Sequence, residues 1–131
     1  GWPNGPLEIE DMVKLYSRSK INLGFGGVEG HRNTFCLKGR DFEIPMSGGL
    51  YLTEDHPELA NAFKPGEEIL TYTGMNDLTG KIRHYLQHED EAEAIRRKGR
   101  ERALRDHTWE ARFARILRLL GLLSPESPKG Q

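Results

Sequence analysis

Cysteine is almost absent. Cys36 is the only one in 131 residues, so no disulfide can close within the chain. Net charge is nearly absent too: 19 Lys and Arg stand against 20 Asp and Glu. The chain as a whole is therefore not drawn to nucleic acid or to an anionic membrane. No apolar run is long enough to span a bilayer, and no charged-then-apolar leader opens the sequence, which leads to the expectation of a cytoplasmic protein. Two phosphate-binding signatures are missing, since no Gly-Lys-Ser/Thr ends a glycine-rich loop and no Gly-x-Gly-x-x-Gly fingerprint occurs. There is no internal repeat. Apolar residues make up only 36%, the shortfall lying in charged helix faces. The length fits one domain, or part of one, with a real core.

What is present centres on Arg40-Asp41-Phe42-Glu43-Ile44-Pro45-Met46-Ser47-Gly48-Gly49, followed by the apolar run Leu50-Tyr51-Leu52. This reads as a carboxylate-bearing helix broken by Pro45 and glycine, then a buried strand. Ahead of it, Ile9, Met12, Val13 and Tyr16 fall at helical spacing. A short strand over 21–25 and a glycine-bearing loop over 26–34 follow. Beyond the central strand, Asp55 can cap a short helix, Lys64-Pro65-Gly66 forms a turn, and 68–72 is a third strand. Asn76 or Asp77 can cap the next helix, whose face is Leu78, Ile82, Tyr85 and Leu86. A charged helix spans about 89–106, and Thr108 can cap a last one with the stripe Trp109, Phe113, Ile116, Leu117 and Leu120. The tail from Ser124 to Gln131 has a disordered composition.

Strands alternating with helices predict an α/β fold with a parallel, helix-covered sheet. Three strands are few for such a sheet, and the chain opens in a turn. The expectation is therefore a fragment, with residues 1–123 forming the later part of a nucleotide-binding domain plus its terminal helices. An unpaired sheet edge would make such a fragment marginally stable or self-associating.

In open parallel sheets, ligands sit beyond the carboxyl ends of the strands. The loop from Gly26 to Thr34 leaves one such end, and its glycines allow close backbone approach. The helix start after it offers amides to an anion, with Arg32, Lys38 and Arg40 adding charge. The plainer reading is a simple turn with solvated cations. Glu43 suits ribose or sugar hydroxyls as an acceptor; a surface carboxylate paired with Lys or Arg is the equally weighted alternative. His84 and His88 are four apart on a helix beside Glu89 and Asp90, a spacing that can hold a metal, although a solvent-facing pair is the commoner meaning. The Arg96–Arg100 run reads as a solvated helix face.

Four segments then occur in order: Tyr16–Gly24, Arg40–Gly49, Pro65–Ile69 and His107–Arg112. Together they resemble the C-terminal region of group 1 glycosyltransferases, especially the spore-maturation-protein-like branch, over about Leu7 to Leu120. The resemblance implies the GT-B architecture, two Rossmann-like domains facing across a cleft, with the C-terminal one holding a nucleotide-sugar donor. It places Glu43 and Gly48 at the family's second glutamate and following glycine, the glutamate usually bonding the donor's ribose. The first position of the Glu-x7-Glu pair carried by many relatives is Phe35 here, and Lys38 stands where a glycine usually follows.

The donor-binding set that results is Glu43, Arg40, Lys38, Thr34 and Gly48, with no catalytic residue and no metal ligand assigned. The expected function is glycosyl transfer from a nucleoside-diphosphate sugar to an acceptor hydroxyl. No cofactor is expected beyond that donor, and the acceptor is unknown. The N-terminal domain of a parent enzyme is the expected partner; nucleic acid is not. The alternative is a non-catalytic α/β interaction or regulatory module. A phosphoacceptor receiver would need an early acidic pair that this sequence does not have.

Overall fold

The computed structural model describes residues 5–28 and 30–124, without the side chains of Arg32 and Asn33. Most of the opening turn, Glu29 and nearly all of the tail expected to be disordered lie outside the described residues, as does any charge Arg32 brings.

Helix α1 (Ile9–Arg18) leads to strand β1 (Asn22–Gly24). A two-stranded hairpin, β2 (Gly27–Val28) and β3 (His31–Phe35), comes next, then α2 (Arg40–Met46) and β4 (Tyr51–Glu54). The chain continues through α3 (Leu59–Ala62), β5 (Leu70–Tyr72), α4 (Met75–Gln87), α5 (Glu89–Asp106) and α6 (Trp109–Leu119). Strands β1, β4 and β5 form one sheet in that order, parallel throughout, with Asn22 opposite Tyr51 and Leu52 opposite Leu70. The parallel pairing expected for these three strands holds, because a helix between successive strands forces a crossover.

Strand β4 is central, so its alternating side chains feed two cores. Tyr51 joins Ile44, Leu59, Phe63 and Ala103 in one. Leu50 and Leu52 join Leu70, Leu78 and Ile95 in the other. Helices therefore flank the sheet, and α5 contributes to both cores through Ile95 and Ala103. Gly99 of α5 seats this helix: a Cβ there would lie 2.2 Å from the Glu68 carbonyl oxygen.

Several local expectations are corrected. The segment expected as a glycine loop over 26–34 is largely the β2–β3 hairpin, which finds ladder partners for its amides. Helix α2 consequently begins only at Arg40, well after Thr34. Pro45 does not break α2; it lies in the last turn of so short a helix. The stop is Gly48, at φ 78°, where Gly48 N–H donates to Pro45 O and Gly49 N–H to Ile44 O, a Schellman closure. Asp55 does not cap α3, whose N-cap position is Glu58. Helix α4 starts at Met75, ahead of both expected caps, and Asp77 instead accepts from Thr73 N–H at 3.1 Å.

Thr108 does cap α6, accepting from Ala111 N–H at 3.2 Å. The α6 stripe is uncovered, with Trp109 74% exposed and Phe113 55%. In α1 the stripe is only half used: Met12 and Tyr16 are partly buried, whereas Ile9 and Val13 are exposed. No helix among the described residues is long and apolar enough to cross a membrane.

Candidate functional site

The carboxyl end of β1 is shaped by two tyrosines. Tyr72 Oη donates to Gly24 O at 3.0 Å. A Cβ at Gly24 would lie 2.1 Å from Tyr51 Oη, so only glycine fits there. The hairpin folds back over this end. Lys38 Nζ donates to Phe25 O at 2.8 Å and to Gly27 O at 3.0 Å, and Arg40 Nη2 donates to Phe25 O at 3.0 Å. Both cations expected beside a diphosphate thus fasten the base of the hairpin to the start of α2.

Beneath the hairpin lies His56, 4% exposed and stacked on Phe35 at 5.6 Å. Neither of its ring nitrogens has a partner among the described residues. Nothing in the sequence around Asp55 marks it, because its burial is imposed by a strand pair distant in the chain.

The approach to α2 is fixed by a buried carboxylate. Asp41 accepts from Lys38 N–H at 2.6 Å with one oxygen and from the Tyr51 phenol with the other. Burial, reinforced by this hydrogen bond to Asp41, pushes the Tyr51 phenol well above its ordinary range. The first turn of α2 is also closed on itself. The amides of Asp41, Phe42 and Glu43 donate to Lys38 O or Gly39 O, which leaves fewer helix-start amides for an anion than the sequence led us to expect.

Glu43 projects outward from this turn. It is exposed, and its Oε1 would lie 3.1 Å from a Cβ placed on Gly39. Among the described residues its carboxylate has no hydrogen-bond or ion-pair partner, so the surface salt bridge weighed above is not formed. Glu43 and Lys38 line a cavity of about 520 Å³ between α2 and the α5–α6 corner. Its other walls include Phe42, Met46, Trp109 and Arg112.

His107 builds this corner. Its Nε2–H donates to Ala62 O at 2.8 Å, and its ring stands 5.0 Å from both Phe42 and Phe63. Burial lowers its pKa below the ordinary histidine value, favouring the neutral ring. The neutral tautomer leaves Nδ1 as an acceptor facing Arg112 Nη2 at 3.5 Å. The Arg112 guanidinium lies 4.3 Å over the Phe42 ring. The result is a cavity with an aromatic wall, two carboxylates, Glu43 and Glu110, and two cations, a mixture suited to a ligand with a flat ring and hydroxyls.

Of the residues expected to bind donor, Glu43 and Lys38 meet in this cavity. Arg40 stands beside Lys38 at the hairpin base, and its Nε is buried without a partner. Thr34 is exposed on β3, away from the cavity walls, and Gly48 closes the far end of α2. Glu68 accepts from Lys64 N–H at 2.8 Å and so secures its own turn. Phe42, His107 and Arg112 were not singled out from the sequence as site residues. The quoted His107–Arg112 segment was the available signal, but its stripe of apolar residues pointed only to packing.

A profile of the family described as "Glycosyl transferase-like" matches residues 1–118. No curated protein matches the chain, and neither does any solved structure. The match covers most of the sequence, and the chain belongs to this glycosyl transferase-like family.

Proposed function

We propose that this chain is the donor-binding part of a GT-B glycosyltransferase of the spore-maturation-protein-like branch, and that its ligand is a nucleoside-diphosphate sugar. The observation that carries the reading is Glu43: a carboxylate without a protein partner, on the wall of the cavity, at the position the family resemblance gives to the ribose-binding glutamate. In this reading Glu43 accepts from the ribose hydroxyls, and the base lies against the wall of Phe42 and Trp109. Lys38 and Arg40 turn from the hairpin carbonyls toward the diphosphate. Thr34 and Gly48 contribute only through the backbone around them.

Transfer would break the bond between the anomeric carbon and the diphosphate and form one to the acceptor oxygen. The cations of this site would stabilise the departing diphosphate. The acceptor site and the group that takes up the acceptor's proton would lie on the N-terminal domain of the parent enzyme. The uncovered stripe on α6, from Trp109 to Leu120, suits packing against that domain. A cytoplasmic location agrees with use of a nucleotide sugar.

The test is calorimetric titration of a panel of nucleoside diphosphates into the full-length protein, wild type and Glu43→Gln. A hydrogen bond to a charged group contributes about 1.5–3 kcal/mol, so affinity should fall roughly ten-fold or more. Folding stability should hardly change, because Glu43 is exposed. Glu67→Gln, whose carboxylate lies 3.9 Å from Lys98 away from the cavity, should bind like wild type. Equal binding by wild type and Glu43→Gln would remove the site from this reading.

A further inference from the structure

A second cluster of ligand-type side chains lies apart from the cavity, where α4 ends and α5 begins. His84 sits in the last turn of α4, His88 is the joint between the helices, and Glu91 is in the first turn of α5. We propose that these three residues bind a divalent transition-metal ion of the zinc type, which clasps the α4–α5 corner.

The geometry is close to what such an ion needs. Ligand-capable atoms of the three side chains all lie within 4.8 Å of one another. His84 Nε2 is 2.9 Å from Glu91 Oε2. Nitrogen and carboxylate oxygen bound at about 2.0–2.2 Å to one tetrahedral zinc stand about 3.4 Å apart. Replacing the shared proton by the metal therefore opens this pair only slightly. His88 Nδ1–H donates to His84 O at 2.8 Å, which leaves Nε2 with its lone pair. A hydrogen bond from the other ring nitrogen to a backbone carbonyl is the usual support of a metal-bound histidine. The two imidazoles are stacked, 4.0 Å between centroids and 12° between planes, so one exposed ring has to rotate about its side-chain bonds to bring both in-plane lone pairs onto one ion.

The surroundings favour a cation. Glu89 and Asp90 line the same shallow depression as His88 and Glu91, and carboxylates raise the local cation concentration. Two imidazoles with one carboxylate select zinc, copper or nickel over magnesium or calcium, which prefer all-oxygen sites. Three protein ligands leave one position for water. The i, i+4 histidine pair was visible in the sequence; the third ligand was not, because the chain reversal at His88 brings Glu91 back onto it.

The experiment is titration of zinc chloride into the full chain, followed by calorimetry and by side-chain histidine NMR. One saturable zinc should bind, shifting the His84 and His88 resonances. Excess magnesium should not displace it. His84→Ala and His88→Ala should each weaken binding at least about ten-fold, as loss of support at metal sites does. Both side chains are exposed, and His84 O keeps the His88 backbone N–H at 3.0 Å when the ring is removed, so both variants should fold. Glu91→Gln keeps the shape and should weaken binding as well. No saturable binding in the wild type would overturn the proposal. So would equal binding by wild type and the His84→Ala/His88→Ala double variant, which would mark the uptake as non-specific.

Discussion

The phenol of Tyr51, on the central strand, donates to the carboxylate of Asp41 in the first turn of α2. Both groups are buried, Tyr51 at 1% and Asp41 at 4% exposure. This one bond ties the helix that carries Glu43 to the strand around which the sheet is built. The other Asp41 oxygen holds Lys38 N–H, so the same carboxylate also sets the path by which the chain enters the cavity wall.

Removing the phenol should therefore be costly. Tyr51→Phe leaves a buried carboxylate oxygen without its donor, and the loss should be about 1.5–3 kcal/mol. Urea unfolding of wild type and variant measures it. A change below about 0.5 kcal/mol, the range of neutral surface substitutions, would show that the bond does not hold the helix.

Two glycines in neighbouring helices should respond in opposite directions. Gly99→Ala drives a methyl group to 2.2 Å from the Glu68 carbonyl oxygen, and overpacking of this kind costs typically about 1–3 kcal/mol. Gly80, inside α4, has nothing within 4 Å of an added Cβ. Gly80→Ala should stabilise by about 0.5–1 kcal/mol, because alanine loses less backbone freedom in a helix. Unfolding midpoints of the two variants on opposite sides of wild type are the expected result.

The buried His107 gives a pH dependence with a definite sign. Its folded pKa lies below the ordinary value, so the unfolded chain takes up the proton first as pH falls. This contribution to stability is complete above the unfolded value of about 6.5. It declines as pH drops from there toward the lowered folded pKa. His107→Gln keeps a donor for Ala62 O and does not titrate. Denaturation at pH 7.5, 6.5 and 5.5 should show a steeper acid loss for wild type than for the variant. Parallel slopes would mean that His107 is not what responds.

Lys38 joins the hairpin to α2 through two carbonyls. Lys38→Met removes that link and should speed amide hydrogen exchange across 25–35 while leaving β4 and β5 protected. In the full-length protein it should also weaken nucleoside-diphosphate binding. Unchanged exchange in the hairpin would show that the Arg40 bond to Phe25 O and the Gly27 N–H bond to Glu54 secure it without Lys38.

The alternation of apolar runs with helical stripes was enough to fix three parallel strands and their helices, since it encodes which face of each element is buried. Thr108 was legible for the same local reason: an N-cap needs only its own next turn. Glu43 was singled out first by its place in the helix ahead of the glycine and then by the family resemblance, and the structure added that its carboxylate has no partner among the described residues. The identity of what covers each face was not legible, because periodicity carries no address. Only the tertiary structure turned 27–35 into a hairpin, whose ladder gives those amides partners that a loop would leave to water. It alone assigned Lys38 and Arg40 to carbonyls brought near by that hairpin. It also set His107 and Arg112 opposite Glu43, and returned Glu91 to the His84–His88 pair through a helix reversal. Those are contacts between segments far apart in the chain or folded back on themselves, decided by burial and backbone hydrogen bonding of the whole domain.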